Sequence, residues 1–283
     1  MQKTIVTVLL AFYMLLGYNC FSQKEIRLLV RGDDMGYSHS GNEAILKCYK
    51  EGIERSAEII VPSPWFPEAV KMLNENPGLD AGIHLCLTSE WDNVKWRPLT
   101  HCPSLTDANG YLLPKVRPDK YYPGLSILER DWKIQEIEKE FRAQIETAIR
   151  NVPRITHVSS HMGCTTMSNE VSALVDQLAK EYKLVQRSPK HKIQILSYGE
   201  ASNTTVGLTD RLIHILDTLQ PGNTYMLVEH PGLDDAELQA IYHKGYENVS
   251  SARQRVTDSW TDKRILEIIR KRNIKLISYA DLR

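Results

Sequence analysis

Ile26-Arg27-Leu28-Leu29-Val30-Arg31-Gly32-Asp33-Asp34-Met35-Gly36 decides how the rest of this chain is read. The apolar run Ile26–Val30 reads as a buried first strand, and two adjacent carboxylates follow at its carboxyl end. Successive side chains of an extended chain point to opposite faces, so Asp33 and Asp34 diverge unless the backbone turns. The flanking Gly32 and Gly36 permit such a turn. One carboxylate can then bind a metal while its neighbour handles a proton. A solvated turn closed by an Asx-type hydrogen bond is the alternative for the pair alone.

Working outward, short apolar runs alternate with longer amphipathic ones. Strands are expected over Ile26–Val30, Ala57–Val61, Ala81–Leu87, Thr156–Ser160, Lys183–Gln186, Thr224–Val228 and Lys275–Ser278. Several are apolar at consecutive positions, as strands covered on both faces are. Helices are expected over Asp131–Arg150, with Ile134, Ile137, Phe141, Ile145 and Ile149 at helical spacing, and over Asn169–Tyr182 and Asp258–Arg272. Such alternation implies a parallel α/β sheet, either closed as a barrel or doubly wound. The irregular stretch from Ser89 to Ser126 carries Trp91, Trp96, Tyr111, Tyr121 and Tyr122. A loop this long usually either covers a site or is disordered, and these aromatics argue against disorder. Its aromatics suit stacking on sugar rings, or form a small core of the loop itself.

The N-terminus is read apart from the fold. Lys3, the apolar run Ile5–Leu16 and the small residues at Cys20-Phe21-Ser22 make residues 1–22 a cleavable secretory signal, too short to be a membrane span. A lipoprotein anchor at Cys20 is the rival. Residues 23–283 then form one domain, about 260 residues with a sizeable core, and without a further transmembrane segment. Removing residues 1–22 takes away only Lys3 among charged residues and leaves the chain within one charge of neutral. No basic patch calls for nucleic acid or an anionic membrane. Cys48, Cys86, Cys102 and Cys164 match no zinc-finger spacing, and export would allow either disulfides or buried thiols.

Three further polar clusters lie at strand ends: Gly82-Ile83-His84-Leu85-Cys86-Leu87-Thr88, Thr156-His157-Val158-Ser159-Ser160-His161-Met162-Gly163, and Glu229-His230-Pro231-Gly232. Each histidine alone is compatible with a hydrogen-bonded core residue. Parallel strands, however, bring their carboxyl ends to one side, where barrel enzymes place their active sites. Asp33, Asp34, His84, His161 and His230 all sit at or near such ends. Two histidines and a carboxylate make a ligand set for a divalent metal with positions left open for water.

In order and spacing, these four blocks resemble the signature blocks of the YdjC-like carbohydrate deacetylases, the chitooligosaccharide deacetylase family. Gly52-Ile53-x-x-Ser56-Ala57, Arg255 and Ile274–Tyr279 extend the resemblance over nearly all of residues 23–283. It implies a single-domain distorted (β/α) barrel of the polysaccharide-deacetylase type. It also implies that Asp34, His84 and His161 bind one divalent metal ion, zinc by preference with magnesium, manganese or cobalt as alternatives. Asp33 would be the general base and His230 the general acid. Arg255 would orient Asp33 or the substrate. Trp91 and Trp96 are candidate sugar contacts on the loop's aromatic content, not on the resemblance. The chain departs from the family at Ser159, where Asp is usual, at Met162-Gly163, where further histidines follow, at Arg31 in place of Asn, and at Met35 in place of Phe. The loop from Ser89 is its own.

The expected activity is therefore that of an exported, metal-dependent deacetylase acting on the acetamide of an N-acetylated sugar or oligosaccharide, in a bacterial periplasm or outside the cell. The same scaffold could cleave an ester or another amide. A metal-free glycosidase using Asp33 and a second carboxylate, or a non-catalytic glycan-binding protein, are the more distant readings. The sugar and the oligomeric state, a homo-oligomer included, stay open.

Overall fold

The computed structural model describes residues 24–186, 189–199 and 204–282. The signal read over residues 1–22, with Cys20, lies outside them. Seven parallel strands form one sheet: β1 Ile26–Met35, β2 Ser56–Ile59, β3 Asp80–Leu85, β4 His157–Ser160, β5 Ile193–Ile195, β6 Thr224–Glu229 and β7 Ile274–Ile277. Their order is β4-β3-β2-β1-β6-β5, with β7 on β1, and the curled sheet makes an open barrel packed with helices. The long β1 serves three neighbours. Its first half pairs with β7, its second half with β2, and β6 runs along its other edge. Eight of its ten residues are buried, as a two-faced central strand requires.

Eight α-helices are described: α1 His39–Glu51, α2 Phe66–Glu75, α3 Ile134–Asn151, α4 Asn169–Glu181, α5 Thr205–Thr218, α6 Ala236–Gln239, α7 Val249–Thr261 and α8 Lys263–Lys271. In α3, Ile137, Phe141, Ile145 and Ala148 are buried at a spacing of three or four, as their periodicity predicts. The helix expected over Asp258–Arg272 is instead two. Asp262 leaves the helical region (φ −64°, ψ 131°) and its carboxylate caps α8 by accepting from the Arg264 amide at 2.8 Å. The strand expected over Lys183–Gln186 reduces to one bridge between Val185 and His157, because Lys183 takes a left-handed turn (φ 56°) just before it. The sheet edge is completed by β5, whose three residues follow a polar stretch and carry too little pattern to be read locally.

The loop from Ser89 to Ser126 is packed. Trp91, Trp96, Leu105, Leu112, Leu113 and Val116 are buried in the main core beside Phe141. Glu140 on α3 pins it by accepting from the Leu99 and Thr100 amides at 3.0 and 2.9 Å. Trp91 and Trp96 are therefore part of the main core, whereas Tyr121 is exposed. All four described cysteines are buried free thiols.

Glu54, at the start of β2, carries a measurable consequence. Its side chain packs on Gly32 and, among the described residues, neither carboxyl oxygen has a hydrogen-bond partner. Burial, reinforced by the nearby Asp33, raises its pKa well above the ordinary carboxylate value. The folded state thus holds a proton that the unfolded chain releases, and stability falls as pH rises above about 4.5, by at most about 1.4 kcal/mol per unit. In thermal unfolding from pH 4 to 8, Glu54→Gln is expected to match the wild type at the acidic end and exceed it at pH 7–8. Parallel profiles would show that Glu54 ionises freely in the folded protein.

Candidate metal centre and active site

Asp33 and Asp34 reach the same cleft because the backbone does turn. Asp34 itself adopts the left-handed conformation (φ 71°), and the β1–β2 register shifts between Gly32 and Met35. A non-glycine residue held there is strained, a feature that concentrates at functional sites. Asp33, Asp34, His84, His161 and His230 all line one cleft of about 390 Å³, at the carboxyl ends of β1, β3, β4 and β6.

Each carboxylate has its own arginine. Arg31 grips Asp33 through two bonds, Nε to Oδ1 at 2.7 Å and Nη2 to Oδ2 at 2.8 Å. Burial nevertheless pushes Asp33 up to about 7, with Arg31 opposing and Glu58 assisting the rise. A carboxylate in that range can exchange a proton near neutrality. Burial would raise Asp34 as well, but His230, Arg253 and His161 together hold it well below the usual carboxylate range. Arg253 donates from Nη2 to Asp34 Oδ2 at 2.8 Å. The pair differs as one proton carrier and one permanent anion would.

The ligand atoms of Asp34, His84 and His161 lie within 4.8 Å of one another. His84 Nδ1 lies 2.6 Å from Ser159 Oγ, and that hydroxyl gives its only proton to Glu58. The hydroxyl must then accept from His84 Nδ1–H, which leaves Nε2 as a bare lone pair. This nitrogen faces Asp34 Oδ1 at 3.6 Å and Asp33 Oδ2 at 3.7 Å. Burial, with His161 adding to it, lowers His84 to about 3, so no proton fills that gap at neutral pH. A neutral imidazole lone pair facing carboxylate oxygens, with His161 Nδ1 3.1 Å from Asp34 Oδ1, is a donor set that fits a divalent cation. His161 Nε2 meets Glu90 Oε2 at 3.0 Å, and Glu90 with Asp34 overcomes burial to keep this imidazole's pKa raised, so the ring would have to release a proton on taking up a cation. His230 lies at the mouth, partly exposed, with Nε2 3.9 Å from Asp34 Oδ2.

The remaining expected residues are placed differently. Arg255 points into a neighbouring cleft with Tyr198, Leu208 and Ala252. Arg253 is the arginine of this site. Its guanidinium lies over the Tyr37 ring (4.6 Å) and near the Trp91 ring (5.3 Å), while Nε and Nη1 are buried without hydrogen-bond partners among the described residues. Arg253, Val256, Thr257 and Trp260 form the buried stripe of α7, and Arg255 falls off that stripe. This spacing is the signal that separates the two arginines. Trp91 lines the cleft but is 2% exposed, and Trp96 is 3% exposed with its indole N–H donated to the Thr88 carbonyl. His243 and Tyr246, near Trp91 on the cleft wall, extend its aromatic surface. Met162 (φ 48°) and Gly163 (φ 72°) carry the chain along the rim in two left-handed steps, leaving Met162 37% exposed. Glu90, Arg253, His243 and Tyr246 were not legible as site residues from the strand-end motifs.

Comparison with known proteins agrees with this architecture. A carbohydrate deacetylase of Thermoanaerobacter pseudethanolicus is 29% identical, with 90% of this chain and 99% of that protein aligned. One from Geobacillus stearothermophilus is 28% identical, over 89% of this chain and 96% of that protein. A solved structure from Enterococcus faecalis V583, of a protein named for cellobiose-phosphate cleavage, superposes with a TM-score of 0.71 at 22% identity, over 91% of this chain and 99% of that one, and shares the fold. The sequence matches the YdjC-like protein family over residues 27–271. This chain belongs to the YdjC-like family.

Proposed function

We propose that this protein is a carbohydrate deacetylase that hydrolyses the acetamide of an N-acetylated sugar or oligosaccharide with the help of one divalent cation. The observation that carries the reading is the convergence of the His84 Nε2 lone pair, His161 and the Asp34 carboxylate, with Asp33 beside them. The names of the relatives support the substrate class. The signal-like sequence of residues 1–22 supports export to the periplasm or beyond, with residues 23–283 as the deacetylase domain.

Asp34, His84 and His161 would hold the cation, and the mixed histidine–carboxylate set favours zinc. Such a cation, when bound, polarises a carbonyl oxygen and makes water a usable nucleophile near neutral pH. Asp33 takes the proton that the attacking water loses. Arg31 holds both its oxygens, so the carboxylate is aimed before substrate arrives. His230 delivers a proton to the leaving nitrogen. Burial, against the pull of Asp34, keeps its imidazole below the ordinary range in the resting site. Negative charge developing on the reacting carbonyl raises that affinity as the reaction proceeds, so the imidazole, partly exposed at the mouth, takes a proton from solvent and passes it to the leaving nitrogen. Acetate and the free amino sugar are the products.

Acetate release from N-acetylated mono- and oligosaccharides is expected to vanish with chelator and return with zinc. His84→Ala and His161→Ala should each hold well below one equivalent of metal and lose at least about 10³-fold in kcat/KM. Full activity in either variant would remove it from the ligand set. Asp33→Asn should keep its metal and lose about 10²- to 10⁴-fold in kcat. An undiminished kcat would exclude Asp33 as the base.

A further inference from the structure

Glu58 is fully buried in the middle of β2, where a carboxylate is costly unless it is well partnered. Its partners define a line across the sheet. The strand register places Glu58 opposite Gly82 on β3, and Gly82 opposite His157 on β4. The missing side chain at Gly82 opens the row: a Cβ there would collide with the His157 ring. Glu58 Oε1 therefore reaches across β3 to His157 Nε2, and Oε2 accepts the hydroxyl proton of Ser159. Two register positions further along, on the same face, His84 and Ser159 are partners, and Ser159 Oγ lies 2.6 Å from His84 Nδ1.

We propose that Glu58, acting through Ser159, is the positioning carboxylate of the metal-binding histidine His84, with the serine hydroxyl bridging the gap between them. The inference rests on the metal reading above. A histidine ligand needs its outer nitrogen held so that the tautomer and ring plane are correct, and an outer carboxylate usually does this. Here the serine hydroxyl transmits the demand. Because Ser159 donates to Glu58, it can only accept from His84, which fixes the proton on Nδ1 and points the Nε2 lone pair at Asp34. Removing either relay member frees the ring to flip or to take the other tautomer.

The test is zinc affinity, measured by chelator competition on the full mature chain, together with the His84 tautomer from side-chain ¹⁵N NMR. Glu58→Gln and Ser159→Ala are each expected to weaken zinc binding about 10- to 100-fold and to lose the single Nδ1–H tautomer. The double variant Glu58→Gln/Ser159→Asp puts the carboxylate directly on His84 and is expected to recover to within a few-fold of the wild type. A purely structural role for Glu58 would not be rescued in this way. Ser159→Ala, which removes one hydroxyl, carries the test if Glu58→Gln does not fold. Wild-type zinc affinity in both single variants, or failure of the double variant to recover, overturns the relay while leaving the metal site standing. A wild-type protein that holds no zinc or other divalent metal overturns the metal reading itself, and the relay with it.

Discussion

Two carboxylates buried side by side at the end of a central strand constrain much of this molecule. Neither can be left alone in a low-dielectric interior. The fold answers with two arginines from opposite directions: Arg31 from the same strand grips Asp33, and Arg253 from α7 grips Asp34. The left-handed turn at Asp34 is what allows both groups to face one cleft. Different surroundings then separate their proton affinities. Asp33 is left able to take a proton, and Asp34 is held as an anion among histidines and Arg253. Two chemically identical side chains acquire two roles through position alone.

The second layer of the site is also built from buried charge. Glu58, Glu90 and Arg31 are partnered with His157, His161 and Asp33. The Tyr279 ring stacks on His157 at 3.7 Å, and its hydroxyl accepts from Arg31 at 2.9 Å, so the C-terminal segment also packs against this network. Polar networks of this kind are favourable only when nearly complete. The Nε and Nη1 of Arg253, without hydrogen-bond partners among the described residues, stand out for that reason, since this guanidinium lines the cleft beside the site. The loop from Ser89 supplies Glu90 and Trp91 to the same wall, and its packing on α3 keeps both in place.

Much of this was written locally. Alternation of apolar runs with amphipathic ones is a property of nearby residues, and it specified a parallel α/β sheet with strand ends gathered on one side. Asp33, Asp34, His84, His161 and His230 could be named from that convergence alone, and the structure brings all five together. What sequence could not decide depends on non-local geometry. The choice between Arg253 and Arg255 turns on the phase of α7 against the sheet. The burial of Trp91 and Trp96 turns on how a long loop packs on α3, although the same aromatics would suit an exposed sugar platform. Glu58 lies within a run that reads as an ordinary buried strand, and only the register of three strands, with Gly82 between, shows that its carboxylate meets Ser159, which in turn meets His84. Periodicity and motif spacing are carried along the chain; partners across strands, and the desolvation that sets each proton affinity, exist only once the chain has folded.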